Sequence, residues 1–74
     1  VIILFNIYIR VMIYKLKDIN GANYIIKDIE KFAKHIFEFH ANGTSLHQEN
    51  GHDFTVDDKF REKILRLIEM KRKL

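Results

Sequence analysis

Each of the chain's three glycines follows an asparagine, at Asn20-Gly21, Asn42-Gly43 and Asn50-Gly51. In a chain with no proline these dipeptides are the strongest points of reversal. Glycine enters positive φ without steric cost, and asparagine tolerates it. Between two apolar runs Asn-Gly favours a two-residue type I′ hairpin turn, in which both central residues have positive φ. After a helical stripe it is a C-terminal stop.

The first dipeptide separates Tyr14-Lys15-Leu16-Lys17 from Tyr24-Ile25-Ile26. Alternating apolar and polar residues on the first side, and β-branched residues on the second, predict a β-hairpin. The competing reading starts a helix at Asn20 or Asn23 and takes Ile25 and Ile26 as its first apolar residues. The hairpin is preferred, with the helix beginning near Asp28. Ile25, Ile29, Phe32, Ala33, Ile36 and Phe37 then recur at three- and four-residue steps, opposite Lys27, Lys31, Lys34 and Glu38. Acids at 28 and 30, and His40 at the far end, suit the helix macrodipole, and Asn42-Gly43 closes the helix. Around Asn50-Gly51, Leu46 and Phe54 read as symmetrically placed and suggest a second short hairpin, with a plain polar loop as the alternative. Thr55 reads as the cap of a second helix with Asp57 and Asp58 in its first turn. Its buried stripe is Phe60, Ile64, Leu67 and Ile68. The expected fold class is α+β: a small antiparallel β-sheet, made from the N-terminal strand or hairpin and a second short hairpin, packed against two α-helices.

At 74 residues the chain reads as a single domain, residues 1–74. Domains commonly run to about 100–150 residues, so a large cofactor site walled in by this chain alone is not expected. With no cysteine there is no disulfide scaffold, thiolate zinc site, iron–sulfur cluster or cysteine nucleophile. Residues with AT-rich codons (Ile, Lys, Phe, Asn, Tyr) make up nearly half of the chain. This points to a low-GC bacterium or to its phages and mobile elements, and gives the lysines a codon-bias explanation.

Residues 1–14 are almost wholly apolar, with the odd positions from Ile3 to Ile13 apolar throughout. That period of two predicts a strand. The run is shorter than the roughly 20 residues of a membrane span, and it lacks the basic flank and small-residue cleavage site of a secretory signal. Neither a span nor export is expected, and the localisation reads as cytoplasmic. Residues 1–11 also read as an apolar extension ahead of a natural start at Met12. As a real strand, Phe5, Ile7, Ile9 and Val11 would form an adhesive edge for a protein partner or a second copy of the chain.

Three residue sets could carry function. The last helix brings Lys59, Lys63, Arg66 and Lys73 onto one face, with Lys71 and Arg72 beside them, and residues 55–74 hold seven basic and four acidic groups. Such a stripe could track nucleic-acid phosphates. The simpler reading is a solvated face with Glu62–Arg66 and Glu69–Lys73 as i,i+4 pairs. Among the histidines, His40, His47 and His52, with Glu49 or Asp53, could surround a divalent ion. No helical i,i+4 histidine pair or other compact ligand spacing supports this. His40, inside the apolar arc, reads instead as a core histidine bonding its own last-turn carbonyls. Catalysis has thin support: Ser45 and His47 are sequence neighbours, which makes no triad, and there is no glycine-rich phosphate loop.

Met12-Ile13-Tyr14-Lys15-Leu16, Asn20-Gly21, Tyr24-Ile25-Ile26 and Lys27-Asp28-Ile29-Glu30-Lys31 together resemble the opening hairpin and helix of the GIY-YIG nucleases. Met12 and Ile26 stand in place of the two motif glycines, and Phe32 where the family's catalytic arginine is expected. The resemblance implies an inactive relative rather than a nuclease, and no residue role carries over. The sequence therefore reads first as a small non-enzymatic interaction or regulatory protein without a cofactor. A basic nucleic-acid-binding module is the second reading, and a histidine-rich metal-binding protein the third.

Overall fold

The computed structural model describes residues 14–73. The expected strand over residues 1–13, its edge residues Phe5, Ile7, Ile9 and Val11, and the alternative start at Met12 lie outside the described residues.

Two antiparallel hairpins and two helices alternate along the chain, as the α+β reading expects. Strands β1 (Tyr14–Lys17) and β2 (Asn23–Ile26) form the first hairpin, with Lys17 opposite Asn23. The hairpin, not the early helix, occupies residues 20–26, but its turn is not the two-residue type expected. Only Gly21 in that loop has positive φ, at 81°. Asp18 accounts for the longer loop: its carboxylate accepts from the backbone N–H of both Asn20 and Ala22 at 2.9 Å. A loop tied down from inside by an aspartate has no need of the tighter turn. The second hairpin, β3 (Ser45–Glu49) and β4 (His52–Val56), does turn through two residues, Asn50 at φ 50° and Gly51 at φ 80°.

Helix α1 (Ile29–Phe39) begins where the sequence places it, with the Asp28 carboxylate accepting from the Lys31 N–H at 3.1 Å. Ile29, Phe32, Ala33 and Ile36 are buried. Ile25, expected on the same stripe, belongs to β2 and faces outward, while Phe37 sits at the edge of the buried arc. The helix stops at His40, before Asn42-Gly43, as the backbone leaves helical dihedrals there (φ −134°). Helix α2 (Asp58–Arg72) starts later than expected. The strand β4 runs on through Thr55 to Val56, and Asp57 replaces Thr55 as the cap, accepting from the Phe60 N–H at 2.9 Å. Val56 is fully buried, and burying it outweighs an earlier helix start.

One hydrophobic cluster joins the elements, with Ile36, Phe54, Val56 and Ile64 at its centre. The two hairpins are stitched together at the edge of this core. The Ile19 N–H donates to the Asp53 carbonyl at 2.9 Å, and His52 Nδ1 lies 2.7 Å from Asp18 Oδ2.

Candidate functional site

The type I′ turn fixes the register of the second hairpin, and with it the face each side chain takes. With Glu49 opposite His52, the partner of Phe54 is His47, and the partner of Leu46 is Thr55. Alternation along β3 then turns Ser45, His47 and Glu49 toward the core and leaves Leu46 52% exposed. This strand turns Ser45, His47 and Glu49 inward and its one large apolar residue outward, against the usual pattern of a half-buried strand. Local rules broken in this way concentrate at working sites.

His47 is 4% exposed, set edge-on to Phe32 and stacked over Phe54, with ring centroids 5.5 and 6.3 Å away. The end of α1 brings two more imidazoles to it. The His35 centroid lies 4.8 Å from that of His47, and the His40 centroid 5.2 Å. One ring nitrogen from each of His35, His40 and His47 lies within 4.8 Å of the others. His35 reaches the group from the exposed side of α1, while His40 reaches it because the backbone unwinds there. On a regular helix residues five apart point about 140° away from each other.

Polar partners hold two of the three rings. His47 Nε2 lies 3.0 Å from Glu49 Oε1. The other Glu49 oxygen accepts from the Tyr24 hydroxyl at 2.6 Å, and Asn50 Nδ2 donates to that hydroxyl at 2.8 Å. His40 Nδ1 lies 2.7 Å from Ser45 Oγ. Burial pushes His40 below the ordinary imidazole value, and the neighbouring His47 and His35 lower it further. Burial alone would raise the Glu49 carboxyl, but the hydrogen bonds from Tyr24 and His47 overcome it and hold the group below its usual range. Tyr24 is raised by burial and by its bond to Glu49. The site therefore pairs a neutral ring at His40 with an ionised carboxylate behind His47.

Arg61 supports the group from α2. It is 7% exposed, and its guanidinium donates to the carbonyls of His40 (2.9 Å) and Gly43 (2.8 Å) and to Asp58 Oδ1 (2.6 Å). The segment that carries His40 into β3 is thereby pinned. On the other side of the histidines lies a cleft of about 480 Å³, lined among others by Lys27, Lys31, Phe32, His35 and Glu49.

Of the metal set read from the sequence, His40 and His47 come together and His52 does not. His52 pairs with Asp18 at the far end of β4. His35, which completes the group, has no sequence signal beyond its place one turn before the end of α1. His40 bonds Ser45 with its ring, and only its backbone N–H serves a last-turn carbonyl, that of Ile36, at 2.7 Å. The basic residues Lys59, Lys63, Arg66, Lys71 and Arg72 on α2 and Lys73 at its C-cap are all exposed. Lys73 pairs with Glu69 at 3.2 Å and Lys71 with Glu30 at 3.6 Å. Among the described residues Lys59, Lys63, Arg66 and Arg72 have no ion-pair partner, and the expected Glu62–Arg66 pair does not form. Among the described residues no helix is long and apolar enough to cross a membrane. No family model, curated protein or solved structure matches the chain.

Proposed function

We propose that the protein is a small metal-binding module that takes one divalent transition-metal ion on His35, His40 and His47. The observation that carries the reading is the inverted strand β3, which buries His47 beside two further imidazoles and a half-buried Glu49 instead of burying Leu46. Imidazole donors suit zinc, copper, nickel and iron. Metal-ligating histidines characteristically give their second nitrogen to a carboxylate, a backbone carbonyl or water. With His47 Nε2 on Glu49 and His40 Nδ1 on Ser45, the nitrogens left to bind are His47 Nδ1 and His40 Nε2. Around a tetrahedral ion with bonds of about 2.0 Å, donor nitrogens stand about 3.3 Å apart. The nitrogens lie within 4.8 Å of one another, and the reading requires the exposed His35 ring, which has no hydrogen-bond partner among the described residues, to move toward the other two on binding.

The test is calorimetric titration of untagged, chelator-stripped protein with zinc and cobalt. One ion per chain is expected, lost in His35→Ala and in His40→Ala. Glu49→Gln keeps all three ligands and should weaken binding by about 10–100-fold through its loss of hold on His47. Equal affinity in wild type and the histidine variants refutes the reading.

A second reading rests on the unpaired cations of α2. Lys59, Lys63 and Arg66 offer a phosphate track, and binding through it should weaken steeply between about 50 and 200 mM salt. A Lys63→Glu, Arg66→Glu double variant should abolish nucleic-acid binding and leave metal affinity unchanged.

A further inference from the structure

We propose that the metal-loaded site takes a small organic anion, a phosphate or carboxylate with an apolar body, in the cleft between β2, the start of α1 and the β3–β4 turn. This inference rests on the metal reading above. His35 and Glu49 border both the histidine group and the cleft, so the two are continuous. Three imidazoles leave an ion at least one coordination position for an outside ligand.

The charges of the cleft set what that ligand is. Lys27 and Lys31 line it and are exposed, with no ion-pair partner among the described residues. Asp28 and Glu49 line it too, but both carboxylates are engaged. Asp28 caps α1 through the Lys31 N–H, and Glu49 holds His47 and Tyr24. Without an ion the four formal charges cancel. A divalent ion leaves the cleft with a surplus of two positive charges, so an anion is favoured only in the loaded state.

Lys31 and His35 lie four residues apart on α1, hence on one face and about 5–6 Å apart at Cβ. An anion bound to the ion through one oxygen can accept from the Lys31 ammonium through another. Phe32, Ile26 and the Tyr24 ring line the same cleft and give an apolar body a wall to rest on. Binding of ion and anion is then reciprocal: each raises the affinity of the other by the same factor.

The experiment uses full-length cobalt-loaded protein freed of excess ion, titrated with phenyl phosphate, inorganic phosphate and benzoate. The visible cobalt spectrum and calorimetry are the readouts. The expected result is a spectral change that saturates, with phenyl phosphate tighter than inorganic phosphate. Benzoate tells whether a carboxylate serves as well as a phosphate. Lys31→Gln should weaken phenyl phosphate about tenfold and leave cobalt affinity within about twofold. Lys34→Gln, on the same helix but paired with Glu38 at 3.9 Å and outside the cleft, should change neither. The proposal is overturned if cobalt binds but no anion alters its spectrum, if Lys31→Gln binds phenyl phosphate as wild type does, or if the apolar ring adds nothing over inorganic phosphate. Failure of cobalt itself to bind refutes the metal reading, a separately visible outcome.

Discussion

Replacing Arg61 with methionine tests whether the segment joining α1 to β3 depends on a single buried cation. Methionine keeps most of the aliphatic stem and removes the guanidinium with its three hydrogen bonds. The three bonds are not equal. The Asp58 side chain is 93% exposed, so its carboxylate returns to water and that pair contributes under about 1 kcal/mol. Gly43 is exposed and its carbonyl also rehydrates. His40 is half-buried, and its carbonyl loses a charge-assisted bond of about 1.5–3 kcal/mol with little water to replace it. Removing a charge that is costly to bury offsets part of this. The net expectation is a loss of about 2–3 kcal/mol, a large share of the roughly 4–11 kcal/mol that a chain of this length commands. In melting temperature that is a drop of about 10–20 °C. The assay is urea unfolding followed by circular dichroism, with Asp58→Ala as the comparison, expected to cost under about 1 kcal/mol. If Arg61→Met costs less than about 0.5 kcal/mol, or Asp58→Ala costs as much, the carbonyl contacts do not hold this segment and the reasoning fails.

Gly51→Ala should destabilise by about 1–2 kcal/mol although nothing lies within 4 Å of the added methyl, because φ is +80° there; an unchanged urea midpoint would mean the turn relaxes without cost. Asp18 is held below its ordinary 3.8 first by its hydrogen bond from His52, so the folded protein binds fewer protons there than the unfolded chain does. Its contribution is full above about pH 5 and fades as the pH falls through 3.8 toward the lower value of the folded state. The stability difference between wild type and Asp18→Asn should shrink over that range, and a difference constant from pH 6 to 2.5 would rule the pair out as its source. His47→Leu should leave stability within about 1 kcal/mol of wild type or raise it, since leucine suits a pocket walled by Phe32 and Phe54, while abolishing cobalt binding. A loss above about 2 kcal/mol would make the His47–Glu49 bond structural instead.

Where the sequence was legible, one local signal decided the outcome. The aspartate at 28 starts α1, the three- and four-residue spacing picks out its buried face, and Asn50-Gly51 makes a two-residue turn. The readings that shifted were those in which two signals competed. Asn20-Gly21 looks the same as Asn50-Gly51 in sequence, yet the Asp18 carboxylate captures two backbone donors and lengthens the loop. Thr55 is a good cap, but Asp57 is as good and lets Val56 be buried in β4 first. Arg61 lies next to Phe60 of the expected stripe, and no sequence signal marks it, because the carbonyls of His40 and Gly43 that it bonds are brought near only by the fold.

The histidine group turns on a single residue of register. Taking Leu46 and Phe54 as partners puts an apolar pair inside and His47 outside. The two-residue turn instead pairs Phe54 with His47 and reverses every side chain of β3. Hydrophobic pattern alone prefers the first arrangement, so turn chemistry overrides it and the strand buries His47 and turns Ser45 and Glu49, both half-buried, to the same face. A small core has few positions to give away, and this one gives His47 wholly and Ser45 and Glu49 in part, all hydrogen-bonded and with no buried side-chain polar atom left unpaired among the described residues. Were stability the sole requirement, leucine at 47 would serve as well at less cost. The arrangement has a physical rationale if the rings are there to be used, and His35, solvent-exposed and within reach of the buried His47 and half-buried His40, is where an incoming ion would first meet them.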